Sequence, residues 1–229
     1  MTLLEAVEFE TAPSPRFSVV WLHGLGADGH DFEPIVPELV RKNWPGIRFI
    51  FPHAPARPVT INGGMRMPAW YDILTFDNPP LREQEADVRD AERSVVELVE
   101  RERTRGIPPS QVVLAGFSQG GAMALHTGLR TPEPLAGVLV LSAYLLLPQR
   151  FDEERTAASA QVPVLFAHGR YDPVVPFGLG KAAHARLEAA GYTARWEAFD
   201  MEHSLCIEEV HSISRWLGER FPAAAKPAG

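Results

Sequence analysis

Six short apolar runs recur along the 229-residue chain, each followed by glycine, proline or aspartate and then by a longer stretch of polar and apolar residues. Runs that are apolar on both faces indicate strands covered on both sides, as in a largely parallel sheet. The runs are SVVWL (18–22), IRFIF (47–51), VVLAG (112–116), GVLVLS (137–142), VPVLFAH (162–168) and ARWEAF (194–199). Strands that alternate with helices predict a doubly wound α/β fold, with a mostly parallel sheet and helices on both faces.

Helical periodicity fills the longer gaps between these runs. Residues 83–104 place Val88, Ala91, Val95, Leu98 and Val99 on one face, and residues 177–190 and 204–220 show a similar pattern. The whole of 1–221 is expected to form one domain, followed by a frayed tail at 222–229. Residues 52–80 are rich in proline and glycine and too long for a plain connection, which predicts a lid-like loop.

Composition argues against several classes of function. The net charge of −7 offers no basic surface for nucleic acid, and no apolar stretch approaches the length needed to span a membrane. The single cysteine, Cys206, and an acidic N-terminus without a signal-peptide pattern favour a cytoplasmic location. No spaced set of histidines and acids such as H-E-x-x-H is present, so no metal site is predicted.

The strongest motif is G-x-S-x-G, formed by Gly116, Ser118 and Gly120 between the strand VVLAG and a segment competent to form a helix. In α/β hydrolases this strand-turn-helix element is a nucleophile elbow, which lifts the serine hydroxyl above the sheet edge. The glycines leave room for the backbone to close. The alternative is an ordinary Gly/Ser turn whose serine caps a helix.

The partners of such a serine follow in the order acid, then histidine, each after a late strand. Asp172 follows the run VPVLFAH, and His203 follows ARWEAF at the start of the last helix. Asp152 could serve as a variant acid, whereas Asp200 is too close in sequence to hold the ring of His203 easily. Six of the other seven histidines are expected at strand ends, where they bond backbone groups (His23, His53, His168), or within helices (His126, His184, His211).

An oxyanion hole requires two backbone N–H groups that point at the reacting carbonyl oxygen. One is the amide of Gln119, directly after the serine at the start of a helix. Gly24 and Gly26 flank Leu25 after the first predicted strand, so the Leu25 amide is the candidate for the second. The alternative is a plain glycine-rich turn.

Several segments, in this order and spacing, resemble the carboxylesterase and acyl-protein thioesterase family of phospholipase/carboxylesterase-type α/β-hydrolases, and its bacterial carboxylesterase branch in particular. They are WLHGLGADGHDF, FPHAPARPVTINGGMRMPAWYDI, GFSQGGAMAL, HGRYDPVVP and EHSLC, and they span nearly the whole chain.

The resemblance implies an α/β-hydrolase fold without a large cap domain. It implies a catalytic triad of Ser118, Asp172 and His203, with the Leu25 and Gln119 amides as oxyanion hole. No cofactor is required. Family members often dimerise, which raises a homodimer as a partner. The expected activity is hydrolysis of esters, or of thioesters, of short to medium acyl chains. The alternatives are a lysophospholipase or acyl-protein thioesterase with the same triad and, more remotely, a non-catalytic binding module.

The resemblance also implies that the 58–75 loop lines an acyl groove. The candidate substrate-binding residues in and near this loop are apolar: Ile61, Met65, Trp70, Ile73, Leu74 and, after the Asp172 loop, Phe177. Gly63 and Gly64 are a departure from the family pattern, because they make the loop more flexible than bulkier residues would. The alternative is that these side chains form a small core beneath the loop and touch no substrate.

Overall fold

The structure, a computed structural model, describes residues 3–75 and 82–221. Its strands are β1 (Ala6–Glu10), β2 (Phe17–Leu22), β3 (Ile47–Pro52), β4 (Ala56–Val59), β5 (Met65–Pro68), β6 (Ile73–Thr75), β7 (Arg82–Glu83), β8 (Val112–Phe117), β9 (Gly137–Leu141), β10 (Val164–Gly169) and β11 (Ala194–Phe199). Its α-helices are α1 (Val36–Leu39), α2 (Glu85–Thr104), α3 (Gln119–Gly128), α4 (Phe151–Glu154), α5 (Phe177–Ala189) and α6 (Ile207–Arg220). The tail at 222–229 and the end of the predicted lid-like loop lie outside the described residues.

Seven strands form the central sheet in the order β1-β3-β2-β8-β9-β10-β11. All neighbours in this sheet are parallel except β1, which pairs antiparallel with β3 at one edge. The six predicted strands are therefore confirmed as the parallel part of the sheet. Because their carboxyl ends share one edge, the loops that follow them are brought together there.

Side chains from the strands alternate between two cores, one on each face of the sheet. In β2, Val20 and Leu22 belong to the core that α2, α3 and α5 cover, whereas Val19 and Trp21 belong to the core that α1 and α6 cover. All of these side chains are buried. Helices on both faces explain why the strands are apolar on both sides. A mostly parallel sheet covered in this way is the α/β-hydrolase architecture.

The segment predicted as a lid-like loop contains regular structure. β4 and β5 pair antiparallel around a short 3-10 turn at Thr60–Asn62, and β6 pairs with β7. The β4–β5 hairpin turns through Gly63 and Gly64, whose φ angles are 65° and 79°. A left-handed backbone of this kind favours glycine. No large cap domain is present among the residues that the structure describes.

Over residues 3–75 and 82–221, no helix is long and apolar enough to cross a membrane. The same part of the chain holds no group of three or more histidine, cysteine or acidic side chains arranged to bind a metal ion.

Candidate active site

Ser118 lies on the turn between β8 and α3, with φ 55° and ψ −122°. Its amide donates a hydrogen bond of 2.8 Å to the carbonyl of Leu141, which fixes the turn against β9. A Cβ at Gly116 would lie 2.3 Å from backbone atoms of Gly120, and one at Gly120 would lie 2.2 Å from the carbonyl oxygen of Leu22. The two glycines are therefore needed because the elbow, its own helix and β2 pack backbone to backbone.

His203 connects Ser118 to Asp172. Its Nε2 lies 2.9 Å from the Ser118 Oγ, and its Nδ1 lies 2.7 Å from Oδ2 of Asp172. The carboxylate can only accept, so Nδ1–H donates to Asp172, and the free Nε2 accepts the hydroxyl proton of Ser118. The three side chains that the sequence singles out thus form one continuous hydrogen-bonded chain.

Asp172 is held as a carboxylate although its side chain is buried. Burial by itself raises the pKa of Asp172, but the hydrogen bond from His203 and those from the amides of Val175 and Val174 outweigh it, so the pKa is lowered. The two amides donate to Oδ1 at 2.8 and 2.9 Å. The negative charge is therefore available to orient the ring of His203 and to stabilise its protonated form.

The rival acids lie elsewhere. Asp152 is exposed and pairs with Arg186, and Asp200 is exposed and pairs with Arg170 at 3.0 Å. Neither contacts His203 among the described residues, which leaves Asp172 as its acid partner in the structure.

The loop after β2 lies beside Ser118. A Cβ added to Gly24 would come 3.5 Å from the Cβ of Ser118, and Gly26 turns the chain with φ 79°. The amides of Leu25 and Gln119 donate no hydrogen bond to any residue of the described chain. An oxyanion hole requires free amides close to the nucleophile, and the approach of Gly24 to Ser118 brings the loop that carries Leu25 to that side of the elbow.

The histidines at the strand ends bond backbone groups, as predicted. His23 is buried, and its Nδ1 lies 2.7 Å from the Gly24 carbonyl while its Nε2 accepts from the Ala54 amide at 3.0 Å. His168 donates from Nε2 to the Val175 carbonyl at 2.9 Å, next to Asp172. Burial lowers the pKa of both His23 and His168, so both rings are held neutral. They support the two loops that flank Ser118.

The six candidate acyl-groove residues have different environments. Met65 is 63% exposed on the β4–β5 hairpin and Leu74 is 38% exposed, whereas Ile61 is half-buried against the core. These three side chains have surface to offer a ligand. The structure corrects the expectation for Trp70 and Ile73, which are 0% and 3% exposed and belong to the core.

Phe177 is half-buried, and its role as the opposite wall of the groove stays a prediction. Its ring packs edge-on against His168 and Trp196, with ring centroids 5.8 and 5.4 Å apart, so its described contacts lie in an aromatic cluster beside the Asp172 loop. In contrast, Met67, which sequence reasoning did not single out, lies near the loop after β2: a Cβ at Gly26 would be 3.7 Å from its sulfur. The alternation of side chains along β5 would have indicated that Met65 and Met67 share a face.

A serine on a strained strand-to-helix turn, linked through histidine to an aspartate above a parallel sheet, defines the serine hydrolases of the α/β-hydrolase fold. The family model for Phospholipase/Carboxylesterase matches residues 6–219, and the chain belongs to this family. It is a serine hydrolase that acts on ester or thioester bonds.

Relatives and solved structures agree with this placement. The chain is 39% identical to acyl-protein thioesterase 1 of Neurospora crassa, over 97% of this chain and 92% of that protein. It is 36% identical to acyl-protein thioesterase 1 of Gibberella zeae, over 93% and 94% of the two chains. The crystal structure of SOBER1 from Arabidopsis thaliana, 32% identical, superposes with a TM-score of 0.84 over 90% of this chain and 99% of that one. The bacterial branch expected from the sequence stays a prediction.

Proposed function

We propose that Ser118, His203 and Asp172 are the catalytic triad of an enzyme that hydrolyses esters and thioesters of short to medium acyl chains. The observation that carries the proposal is the position of the His203 ring, whose two nitrogens lie within 2.9 Å of the Ser118 hydroxyl and 2.7 Å of the Asp172 carboxylate. This geometry meets the requirement for a nucleophile, a base and a group that orients the base.

In the first half-reaction, the Ser118 Oγ attacks the acyl carbon while its proton passes to Nε2 of His203. The amides of Leu25 and Gln119 stabilise the negative charge that develops on the carbonyl oxygen. The tetrahedral intermediate then collapses, and Nε2–H of His203 donates its proton to the leaving alcohol or thiol. The product of this step is an acyl ester of Ser118.

Water reverses the sequence in the second half-reaction. His203 takes a proton from the water as its oxygen attacks the acyl carbon, and the same two amides stabilise the oxyanion. Nε2–H then returns a proton to Oγ, which leaves, and the carboxylic acid is released. Every proton and electron pair is exchanged among Ser118, His203, substrate and water, so the chemistry requires no cofactor.

The relatives bear on the leaving group of the substrate. The Neurospora crassa and Gibberella zeae relatives are named acyl-protein thioesterases, which supports thioesters as substrates beside oxygen esters. A lysophospholipid is the alternative, because the triad does not contact the part of the substrate that leaves. A non-catalytic binding module is opposed by the hydrogen bonds from His203 to both triad partners.

Replacing the nucleophile tests the triad directly. We expect Ser118→Ala to lower kcat on the order of 10⁴-fold or more on a p-nitrophenyl ester, without loss of the fold. A fluorophosphonate probe should label Ser118 rather than Ser142 or Cys206, the two alternative nucleophiles that serve as internal controls. Near wild-type turnover by Ser118→Ala, or labelling of either control residue instead, would contradict the assignment.

A substrate panel tests the leaving group and the acyl groove. We propose that Met65, Leu74 and Ile61 border the groove, supported by their exposed surface on the segment that leads to the site. Each buried methylene is worth at most ~0.8 kcal/mol, or about fourfold in kcat/KM, so activity should rise with chain length and then level off.

Met65→Trp should move this plateau to shorter acyl chains. Arg66→Trp is the matched control, because adjacent side chains of β5 point to opposite faces. The panel comprises p-nitrophenyl esters of graded length, an acyl thioester and a lysophospholipid. A chain-length profile that Met65→Trp leaves unchanged would remove the hairpin from the groove.

We further propose that residues 1–221 act as a single domain in the cytoplasm, as a homodimer, without binding nucleic acid. The family match over residues 6–219, the acidic net charge and the single cysteine support this. Sedimentation equilibrium tests the homodimer, and a monomer at all concentrations would contradict it.

A further inference from the structure

We propose that the Gln119 side chain and Trp70 are positioning residues that hold the oxyanion loop, residues 23–26, in the geometry that the reaction requires. The inference rests on the proposed function, because it concerns the placement of the Leu25 amide beside Ser118. It assigns roles to the side chain of Gln119, as distinct from its amide, and to a tryptophan outside the triad.

The Gln119 side chain clamps the backbone at the end of the β4–β5 hairpin. Its Oε1 accepts a hydrogen bond of 2.8 Å from the amide of Trp70, and its Nε2 donates one of 2.8 Å to the carbonyl of Tyr71. A carboxamide satisfies both backbone groups at once, which neither a carboxylate nor a thioether can do. The side chain is buried, so water does not compete for these bonds.

Trp70 carries this connection to the oxyanion loop. Its indole Nε1–H donates a hydrogen bond of 2.9 Å to the carbonyl of His23, the residue that opens the loop. The same carbonyl oxygen would lie 2.5 Å from a Cβ at Gly120, so it also faces the nucleophile elbow. The elbow, the hairpin and the oxyanion loop therefore meet at one backbone carbonyl.

Two further hydrogen bonds hold the oxyanion loop to the segment that Gln119 clamps. The amide of Gly26 donates to the carbonyl of Pro68 at 2.9 Å, and the amide of Ala54 donates to the ring of His23 at 3.0 Å. The Leu25 amide thus lies between two residues, His23 and Gly26, that are both bonded to residues 54–70. A shift of that segment displaces the amide.

Such a displacement acts on the transition state more than on the ground state. The oxyanion donors bind the charge that develops during reaction, so misplacing one lowers kcat while KM changes little. Substitution of a residue that only stabilises the fold would lower the melting temperature and leave the kcat of the folded enzyme intact. The split between kcat and KM therefore separates positioning from stability.

The test compares two conservative variants, Trp70→Phe and Trp21→Phe. Both tryptophans are buried, but the indole N–H of Trp21 has no hydrogen-bond partner among the described residues, so the control loses the same volume and no such bond. We expect Trp70→Phe to lower kcat about 10-fold with KM within about twofold, a loss of ~1.4 kcal/mol in transition-state stabilisation. Trp21→Phe should have the wild-type kcat at temperatures below its unfolding transition.

Gln119→Glu provides a second arm, because it keeps an acceptor for the Trp70 amide and loses the donor to Tyr71. It should lower kcat in the same way. Hydrogen exchange of the amides in residues 23–27, read by mass spectrometry, should be faster in Trp70→Phe than in Trp21→Phe, and this readout requires no turnover.

The outcomes separate the two proposals. If the wild-type protein hydrolyses no ester or thioester of the panel, the proposed function fails, and the exchange rates still decide whether Trp70 holds the loop. If the wild type is active and Trp70→Phe matches Trp21→Phe in kcat, KM and exchange, the positioning role is overturned.

Discussion

Glu209 lies fully buried in the first turn of α6, three residues after the N-cap residue Cys206. Neither carboxyl oxygen has a hydrogen-bond partner among the described residues. Burial, with a smaller contribution from repulsion by Glu197, raises the pKa of Glu209 from its ordinary value of 4.5 to about 8. The Cys206 amide opposes the rise, but it does not reach the carboxyl with the geometry of a hydrogen bond.

This raised pKa makes stability depend on pH in a defined direction. Above about pH 4.5 the unfolded chain releases a proton that folded Glu209 keeps until about pH 8, so stability is lost as the pH rises through this window. With each pKa unit worth ~1.4 kcal/mol, the full loss is ~5 kcal/mol, of which ~3 kcal/mol has accrued by pH 7. Glu209→Gln cannot ionise and should avoid this loss.

Urea unfolding followed by circular dichroism measures the effect. Glu209→Gln should match the wild type near pH 4 and exceed it by ~3 kcal/mol at pH 7, with a larger difference at pH 8.5. Glu208→Gln, the exposed neighbour on the same turn, is the matched control and should show no comparable trend. A difference between Glu209→Gln and wild type that does not grow with pH would refute the reasoning.

Three further predictions concern the fold and the site. Gly120→Ala should fail to fold or lose several kcal/mol of stability, because its Cβ would overlap carbonyl oxygens at the end of β2. Gly178→Ala, whose Cβ on α5 meets no described atom within 4 Å, should raise stability by ~0.5–1 kcal/mol. Thermal unfolding of the two variants tests both expectations. Glu102→Gln should cost ~2 kcal/mol in urea unfolding, because it removes the buried negative charge that accepts from Arg48 at 2.7 Å and leaves Arg48 with the more exposed Glu10 at 2.8 Å as its charged partner; a loss below ~0.5 kcal/mol would contradict this. Asp172→Asn should lower kcat on the order of 10³–10⁴-fold with the fold intact, because an amide cannot stabilise protonated His203; steady-state kinetics within tenfold of wild type would count against it.

The parallel sheet could be predicted because its signal is local. A strand buried on both faces is apolar at most of its positions, and β2, β3, β8, β9 and β10 are buried almost throughout. The proximity of Ser118, Asp172 and His203 follows in turn, since parallel strands end at one sheet edge. Their catalytic roles are the part that experiment must test.

Strand β1 was missed for the opposite reason. Its residues are half-buried or exposed, and the alternating segment Ala6–Glu10 becomes a strand by pairing with β3, about forty residues away in sequence. Pairing at a sheet edge joins residues that are distant in sequence, and a short amphipathic segment does not specify its partner strand. The β4–β5 and β6–β7 pairs were missed likewise, because proline and glycine in this segment indicate irregular structure.

The burial of Trp70 shows why the acyl groove was only partly predicted. An apolar side chain in such an insertion can face either a groove or the core, and the spacing of apolar residues is the same in both cases. Composition and spacing therefore do not predict which of the two it faces. Burial of Trp70 is favoured because its indole N–H has an acceptor in the core. That acceptor, the carbonyl of His23, is supplied by a loop remote in sequence.

The hairpin is consequently fixed at one end and open at the other. Its base is bonded to the elbow through Gln119 and to the oxyanion loop through Pro68. At its tip, no atom of a non-adjacent described residue lies within 4 Å of a Cβ placed at Gly63 or Gly64. The proposed positioning of the oxyanion loop depends on the base, and the surface of Met65 lies next to the tip. We therefore expect a substitution at the tip to change acyl preference and leave the chemistry intact, and a substitution at the base to change turnover for every substrate alike.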